Sequence, residues 1–413
     1  MKKIPDFIYE ALSSVQPQKA LSFIKIDNNK LWINDFEIDA GECMVVAAGK
    51  AACAMVNYFL ERGVKFKAGI VATNKPCKID CKQIDFFHSS HPLYSSESLH
   101  AGKKLMELAK KYSSADFLFL ISGGASSMVE YFDYGLNKVN TAVDFILKGG
   151  FDIRQLNAFR KSISLIKCGK LLRFINGRVI SLIISDVVGD DISVIGSGLT
   201  AYEDRMYLSG EIEEIFRRFE IYPKSRCLSK EEFYSMNVSN SVIASNFTFL
   251  NKLKEILKDR GFNVISLGSR IEGDVECVAG VLGGVFKEAI ENKLNVKKPI
   301  AIVFGGETAV KVKRAGKGGR NQHLSLLIAS QLKDYAGKFE YIGFATDGKD
   351  GNSNFAGCIV NKDMYEAVRR LNIDFEEYIK SFNSAMFFER VGTAIGGFDT
   401  NTNVADVGVF VAQ

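Results

Sequence analysis

The chain has 413 residues, 47% apolar and 24% charged, the composition of a folded globular protein and not of a long disordered one. Lys and Arg number 53 and Asp and Glu 48, a net charge of +5, which is thin over this length and argues against the concentrated basic patch of a nucleic-acid binder. The length suggests two domains and suffices to bury a sizeable core.

In chain order, Pro5 precedes Phe7, Ile8, Ala11, Leu12 and Val15, apolar residues whose spacing predicts an amphipathic helix with Pro near its start. No apolar run approaches membrane-spanning length and no cleavable signal is visible, so the expectation is a cytoplasmic protein with no membrane contact. The eight Cys (43, 53, 77, 81, 168, 227, 277 and 358) are scattered and are expected to be reduced thiols. Cys77 and Cys81 have a spacing that invites zinc, but neither a second pair of ligands nor His88, His91, His100 or His323 completes a site.

The dominant pattern is a short apolar run, a Gly-rich or Asp-rich turn, then a helical pattern. Residues 43–63 read as strand, Gly49-Lys50 turn and helix closed by Gly63; 68–73 as a strand; 97–112 as a helix; 116–128 as strand, glycine turn and helix; 179–191 as a strand ending in acids. Further strands are expected within 240–247, 262–267, 299–312, 341–351 and 404–412, with a helix over 251–261. Nearly all-apolar strands alternating with helices imply an α/β fold built on a parallel sheet covered on both faces. Ligands of such sheets bind beyond the carboxyl ends of the strands, where all these polar turns fall. The charged stretch 201–238, with Pro223, breaks the pattern and holds the expected domain junction, giving domains 1–235 and 236–413.

Several turns have the residues for chemistry. In ISGGASSM (121–128), free N–H groups at a helix start can cradle an anion, although the glycines also suit a plain tight turn. In AGKGGRNQH (315–323), Arg320 stands at a helix start where its charge opposes the dipole, so an anionic partner is expected. Lys50 closes the first strand on the ligand side of the sheet. Asp186, Asp190 and Asp191 gather at another strand end, where carboxylates can hold Mg²⁺ or take a hydroxyl proton; Asp190 and Asp191 also suit capping. Asp347 and Asp350 in ATDGKDG, and Glu307 in FGGET, can hold a metal or a substrate hydroxyl or simply make turns. Arg160, Lys161, Lys167 and Lys170 suit a polyanion, with a solvated face as the default reading. Two cations, two glycine cradles and an acidic cluster at strand ends are the parts that phosphoryl transfer requires.

The ordered motifs GKAACAM (49–55), LISGGASSM (120–128), NAFRKSISLIKCGKL (157–171), SLIISDVVGDD…IGSGLT (181–200), VIASN (242–246), GGETAVKV (305–312), GKGGRNQHLSL (316–326), ATDGKDG (345–351) and TNTNVADV (400–407) resemble the glycerate 2-kinase family, whose C-terminal part is the MOFRL domain. The resemblance implies a Rossmann-like N-terminal domain, a smaller α/β MOFRL domain and an active site in the cleft between them. It implies ATP- and Mg²⁺-dependent phosphorylation of D-glycerate, generally to 2-phosphoglycerate, with glycerate and ATP as the small-molecule partners; a homodimer is left open. Lys50, Asp186 and Arg320 then become catalytic candidates. Ser122, Gly123, Gly124, Ser126, Glu307, Gly318, Gly319, Asn321 and Asp347 become substrate- or phosphate-binding candidates, and Asp186 and Asp190 metal candidates. The sequence departs from the family pattern at Cys168, where a second Gly usually stands, at Leu199 in place of Pro, at Leu93-Tyr94-Ser95, and in the longer run before Asn403. The alternatives are phosphorylation to 3-phosphoglycerate and an NAD(P)H-dependent hydroxypyruvate reductase. Residues 43–55 lack the G-x-G-x-x-G fingerprint that the reductase would want.

Overall fold

The computed structural model of the chain describes residues 2–203, 209–312 and 316–413. Asp204 and Arg205 of the charged stretch and Ala315 of the glycine-rich turn lie outside them. Two compact units form. One comprises Pro17–Ile243 with Asn401–Asn403; the other comprises the N-terminal residues through Gln16, Ala244–Thr400 and Val404–Gln413.

The first unit begins with a small antiparallel sheet of β1 (Lys25–Asp27), β2 (Lys30–Ile33) and β3 (Phe36–Asp39). Asn28 and Asn29, at φ 47° and 61°, make the first of its tight turns, where an amide side chain tolerates the left-handed region. The main sheet contains β4 (Met44–Ala48), β5 (Ala68–Thr73), β6 (Ile84–His88), β7 (Phe117–Ser122), β8 (Val179–Ile184) and β9 (Val238–Ala244) in the order β6-β5-β4-β7-β8-β9. The pairings β6–β5, β5–β4, β4–β7 and β7–β8 are all parallel. Strands β4, β7 and β8 are buried along their whole length, which is why they read as unbroken apolar runs. Succession runs outward in opposite directions from β4 and β7, so the topological switch point lies between these two strands.

The second unit contains β10 (Asn263–Asp274), β11 (Ile300–Ala309), β12 (Phe339–Ala345), β13 (Phe355–Val360), β14 (Ala394–Gly396) and β15 (Asp406–Ala412) in the order β10-β11-β15-β12-β13-β14. Only β10–β11 is parallel; β11–β15, β15–β12, β12–β13 and β13–β14 are antiparallel. The expected parallel sheet is thus confined to the first unit. The nine residues between β12 and β13 contain no helix that could carry a parallel crossover, so the chain turns straight back. The helix Asp6–Ser13 follows Pro5, as its pattern predicts, and packs its Ile8, Ala11 and Leu12 face in this unit beside the helix Asn246–Asp259.

The expectation of uniformly reduced thiols does not hold. Cys53 is bonded to Cys77 and Cys168 to Cys227, while Cys43, Cys81, Cys277 and Cys358 are free. The bonded pairs lie 24 and 59 residues apart in sequence, so only folding brings their Cα atoms to 5.7 and 5.1 Å, within disulfide reach. Cys77 is thereby withdrawn from the zinc spacing. Among the described residues no helix is long and apolar enough to cross a membrane.

Candidate active site

In the first unit, three neighbouring strands end in the predicted turns. Gly49, at φ +119°, lets the β4 turn pass so close to β7 that a Cβ on it would lie 2.3 Å from Ser122 Oγ and 2.4 Å from the Ser122 carbonyl oxygen. The contact is sealed by hydrogen bonds from Lys50 N–H to the Gly123 carbonyl (2.9 Å) and from Ala51 N–H to Ser122 Oγ (3.0 Å). Ser122 is fully buried and also donates to the Ala48 carbonyl (3.4 Å), so its hydroxyl joins two strand ends. Gly124, at φ +88°, opens the one-turn helix Ala125–Met128. Ser126 on that turn is half-buried and makes no side-chain hydrogen bond among the described residues.

Asp186 follows β8 and crosses over Gly123. A Cβ at position 123 would fall 1.9 Å from Asp186 Oδ2 and 2.9 Å from Asn403 Nδ2. Asn403 Nδ2 donates to that same Asp186 oxygen at 2.8 Å. Lys50 and Asp186 are both half-buried. Of the other acids, Asp191 accepts from Ser193 N–H at 2.9 Å and shapes its own loop. Asp190 sits half-buried at φ +60° with no side-chain hydrogen bond among the described residues. No group of three or more His, Cys, Asp or Glu placed to hold a metal occurs among the described residues.

The four cations of 160–170 are buried, not solvated. Lys161 pairs with Glu203 at 2.7 Å. Lys170 Nζ donates to the carbonyls of Lys161 (2.8 Å) and Ser164 (2.7 Å) and closes the helix Ile153–Ile163. Arg160 donates to the Pro92 carbonyl at 2.9 Å. Lys167 Nζ donates to the Ala125 carbonyl at 3.1 Å, which brings its charge to the glycine cradle. Burial pushes the Lys167 and Lys170 ammonium groups down to about 8. Their internal counter-charge is Glu130, buried with Ser164 and Tyr131 N–H as donors; burial pushes its carboxyl up while Lys167 opposes.

In the second unit, Arg320 starts the helix Arg320–Gln331, and the anionic partners that its position calls for belong to the protein itself. Its Nε donates to Asp406 and its Nη1 to Glu307; Nη2 makes no hydrogen bond among the described residues. Asp350 is buried and accepts from the N–H groups of Gln322 (2.7 Å) and Asn321 (3.3 Å), satisfying the helix start. Gly319 makes room for it, since a Cβ there would lie 2.0 Å from Asp350 Oδ1. Burial raises the Asp350 carboxyl to about 7, with the Asp406 charge adding to the rise. Burial raises Asp406 to about 6 against the pull of Arg320. Gly318 N–H donates to Asn352 Oδ1 (2.8 Å), and Asp347 Oδ1 accepts from Lys349 N–H (3.1 Å). Asn321 is buried and its Nδ2 has no partner among the described residues.

The sheets therefore bring Lys50, Ser122, Gly123, Gly124 and Asp186 together in one unit, and Arg320, Glu307, Gly319 and Asn321 together in the other. Asn403, Asp406 and Glu130 are absent from the candidates read from sequence, and Lys167 was read there only as part of a cationic face. Asp406 had one visible signal, a lone acid opening an otherwise apolar strand; Asn403 had only its place in a short run of Thr and Asn.

The cradle at the switch point of the first unit and the glycine-rich helix start of the second belong to an α/β protein of two compact units. Family models agree: a domain of unknown function, DUF4147, matches residues 3–227 and the MOFRL family matches 300–406. A glycerate 2-kinase of Pyrococcus horikoshii is 31% identical over 96% of this chain and 94% of its own length. The crystal structure of a glycerate kinase from Thermotoga maritima superposes with a TM-score of 0.81 at 25% identity, covering 99% of this chain and 98% of that one. A provisionally named hydroxypyruvate reductase of Agrobacterium vitis is 29% identical over 89% of this chain and 98% of its own length. The chain belongs to the glycerate kinase family.

Proposed function

We propose that the protein transfers the γ-phosphoryl group of ATP to D-glycerate, with 2-phosphoglycerate and ADP as products. The observation that carries this reading is the convergence of Lys50, the Gly123-Gly124 turn and Asp186 on three adjacent strand ends at the switch point of a parallel sheet. Lys50 supplies a positive charge for phosphate oxygens, reinforced by Lys167 behind the cradle. The N–H groups of the cradle and the Ser126 hydroxyl donate to the anion. Asp186 orients the glycerate hydroxyl and takes its proton as the oxygen–phosphorus bond forms and the bond to ADP breaks.

In the second unit Arg320, held by Asp406 and Glu307, offers a cationic fork to a phosphate or carboxylate. Gly318, Gly319, Asn321 and Asp347 flank it as phosphate or substrate contacts. Asp186 and Asp190 offer two carboxylates from one loop, which fits Mg²⁺, an ion that takes one or two protein carboxylates together with phosphate and water. The ion would neutralise charge on the transferring group. We place the reaction in the cytoplasm, where ATP is supplied.

The reductase reading has a relative's provisional name in its favour. It has no dinucleotide fingerprint after β4, where the turn reads Gly49-Lys50-Ala51-Ala52. Phosphorus and proton NMR of the product from D-glycerate and ATP tests the reaction and its regiochemistry together. A 2-phosphoglycerate spectrum supports the proposal; a 3-phosphoglycerate spectrum overturns the regiochemistry, and NADH consumption with hydroxypyruvate but no ADP formation overturns the reaction class.

A further inference from the structure

We infer that Asn403 is a positioning residue for Asp186, an inference that rests on the role proposed for Asp186 above. Asn403 is 217 residues from Asp186 in sequence, yet its Nδ2 donates to Asp186 Oδ2 at 2.8 Å. That oxygen lies where any side chain at Gly123 would stand, so the β7 turn, the β8 turn and the 401–403 segment close on one another at van der Waals distance. Asn403 is 8% exposed, whereas Asp186 is half-buried. The amide is thus closed off from solvent while part of the Asp186 residue stays exposed.

The chain around Asn403 is shaped for this approach. Asn401 and Ala405 both adopt left-handed backbone, at φ 57° and 64°, and Ala405 has neither the freedom of glycine nor a side chain that favours that region. Such a conformation persists only where the surroundings over-determine it, and it is concentrated at functional sites. Thr400 and Thr402 on either side of Asn401 are also buried. A carboxylate that must meet a hydroxyl in line with a transferring phosphoryl group has two rotatable bonds. An amide donor on one oxygen restrains the second of these bonds. A hydrogen-bond donor suits this place, whereas an acid there would repel Asp186.

The test is a double-mutant cycle in the full chain, with steady-state kinetics on D-glycerate and ATP. Asn403→Ala is expected to lower kcat about 10-fold or more while both KM values move less than about threefold, as loss of orientation at the reacting group should do. Asp186→Asn is expected to lower kcat far further, and Asn403→Ala added to it is expected to change kcat less than about twofold, because the amide acts through the carboxylate. Asn403→Asp keeps size and shape, so it serves if the alanine variant does not fold, and it should lose at least as much turnover. Full turnover in either folded Asn403 variant, or a loss of equal size with and without Asp186, overturns the positioning role while leaving Asp186 in place. Turnover near normal in Asp186→Asn instead overturns the reading of Asp186 on which the inference stands.

Discussion

Gly49 and Ser122, on neighbouring strands of one sheet, approach so closely that a single added carbon on the first would lie 2.3 Å from the hydroxyl of the second. The backbone at Gly49 is also left-handed, at φ +119°. Gly49→Ala must then either push β7 away from β4 or force both into strain. A loss of about 3 kcal/mol or more in denaturant unfolding is expected, together with loss of turnover, because Lys50 is the next residue. An unchanged midpoint would mean that the two strand ends are not in contact.

Lys50 and Arg320 should both matter to turnover, and for different reasons. Lys50→Ala removes a charge with little change to packing, so kcat/KM is expected to fall about 100-fold or more with folding intact. Arg320→Ala should bring a fall of similar size and a lower denaturation midpoint as well, because it leaves the half-buried carboxylate of Asp406 without its cation. Arg320→Lys restores charge but not the fork that reaches Asp406 and Glu307 together, so it should recover only part of either loss. Near-normal activity in both alanine variants would place the chemistry elsewhere.

These contrasts follow what sequence can express. Strands β4, β7 and β8 were legible because burial on both faces leaves them apolar throughout, and the glycine turns between strand and helix marked the strand ends at which Lys50, Ser122, Gly123 and Asp186 gather. Strands β1 to β3 were not, being three or four residues long and only partly buried. Strand direction in the second unit was not legible either, since an apolar run reports burial and not polarity. Lys161 and Lys167 read as a solvated face because Glu203 and the Ala125 carbonyl, each 42 residues away, are supplied by other parts of the fold. The same limit hid Asp406, 86 residues from Arg320, and Asn403, still farther from Asp186.

Asp350 should make stability depend on pH in a direction opposite to ordinary surface acids. Its folded carboxyl titrates at about 7, raised from 3.8 mainly by burial and then by Asp406, while the N–H groups of Gln322 and Asn321 and the Arg320 charge act against the rise. Between pH 4 and 7 the native state therefore holds a proton that the unfolded chain has released. Stability is fullest below pH 4 as far as this group is concerned, and it falls as pH rises to 7, with a slope of up to about 1.4 kcal/mol per pH unit. Asp350→Asn keeps an oxygen for the helix start but cannot ionise. Thermal melts across this range should show the variant with a flatter profile than the wild type, with Asp406 among the groups that supply the remaining slope below pH 6. Parallel profiles would mean that Asp350 is ionised in the fold throughout.

The two disulfides make the last prediction. Cys168–Cys227 joins residues 59 apart, and Cys53–Cys77 joins residues 24 apart. In the chain-entropy description these links stabilise by about 4 and about 3 kcal/mol through the unfolded state. Reductant should therefore lower the unfolding midpoint, and Cys227→Ser and Cys77→Ser should each reproduce part of that shift. Alkylation of the denatured, unreduced protein should label Cys43, Cys81, Cys277 and Cys358 alone. Turnover should survive Cys227→Ser within about threefold, because hydrogen bonds from Cys168 N–H to the Ser197 carbonyl, Gly169 N–H to the Gly198 carbonyl and Leu228 N–H to the Cys168 carbonyl still hold the loop that carries Lys167. Labelling of all eight cysteines before reduction would show the thiols unpaired. A collapse of turnover in a stably folded Cys227→Ser would show that the link, and not those hydrogen bonds, keeps Lys167 against the cradle.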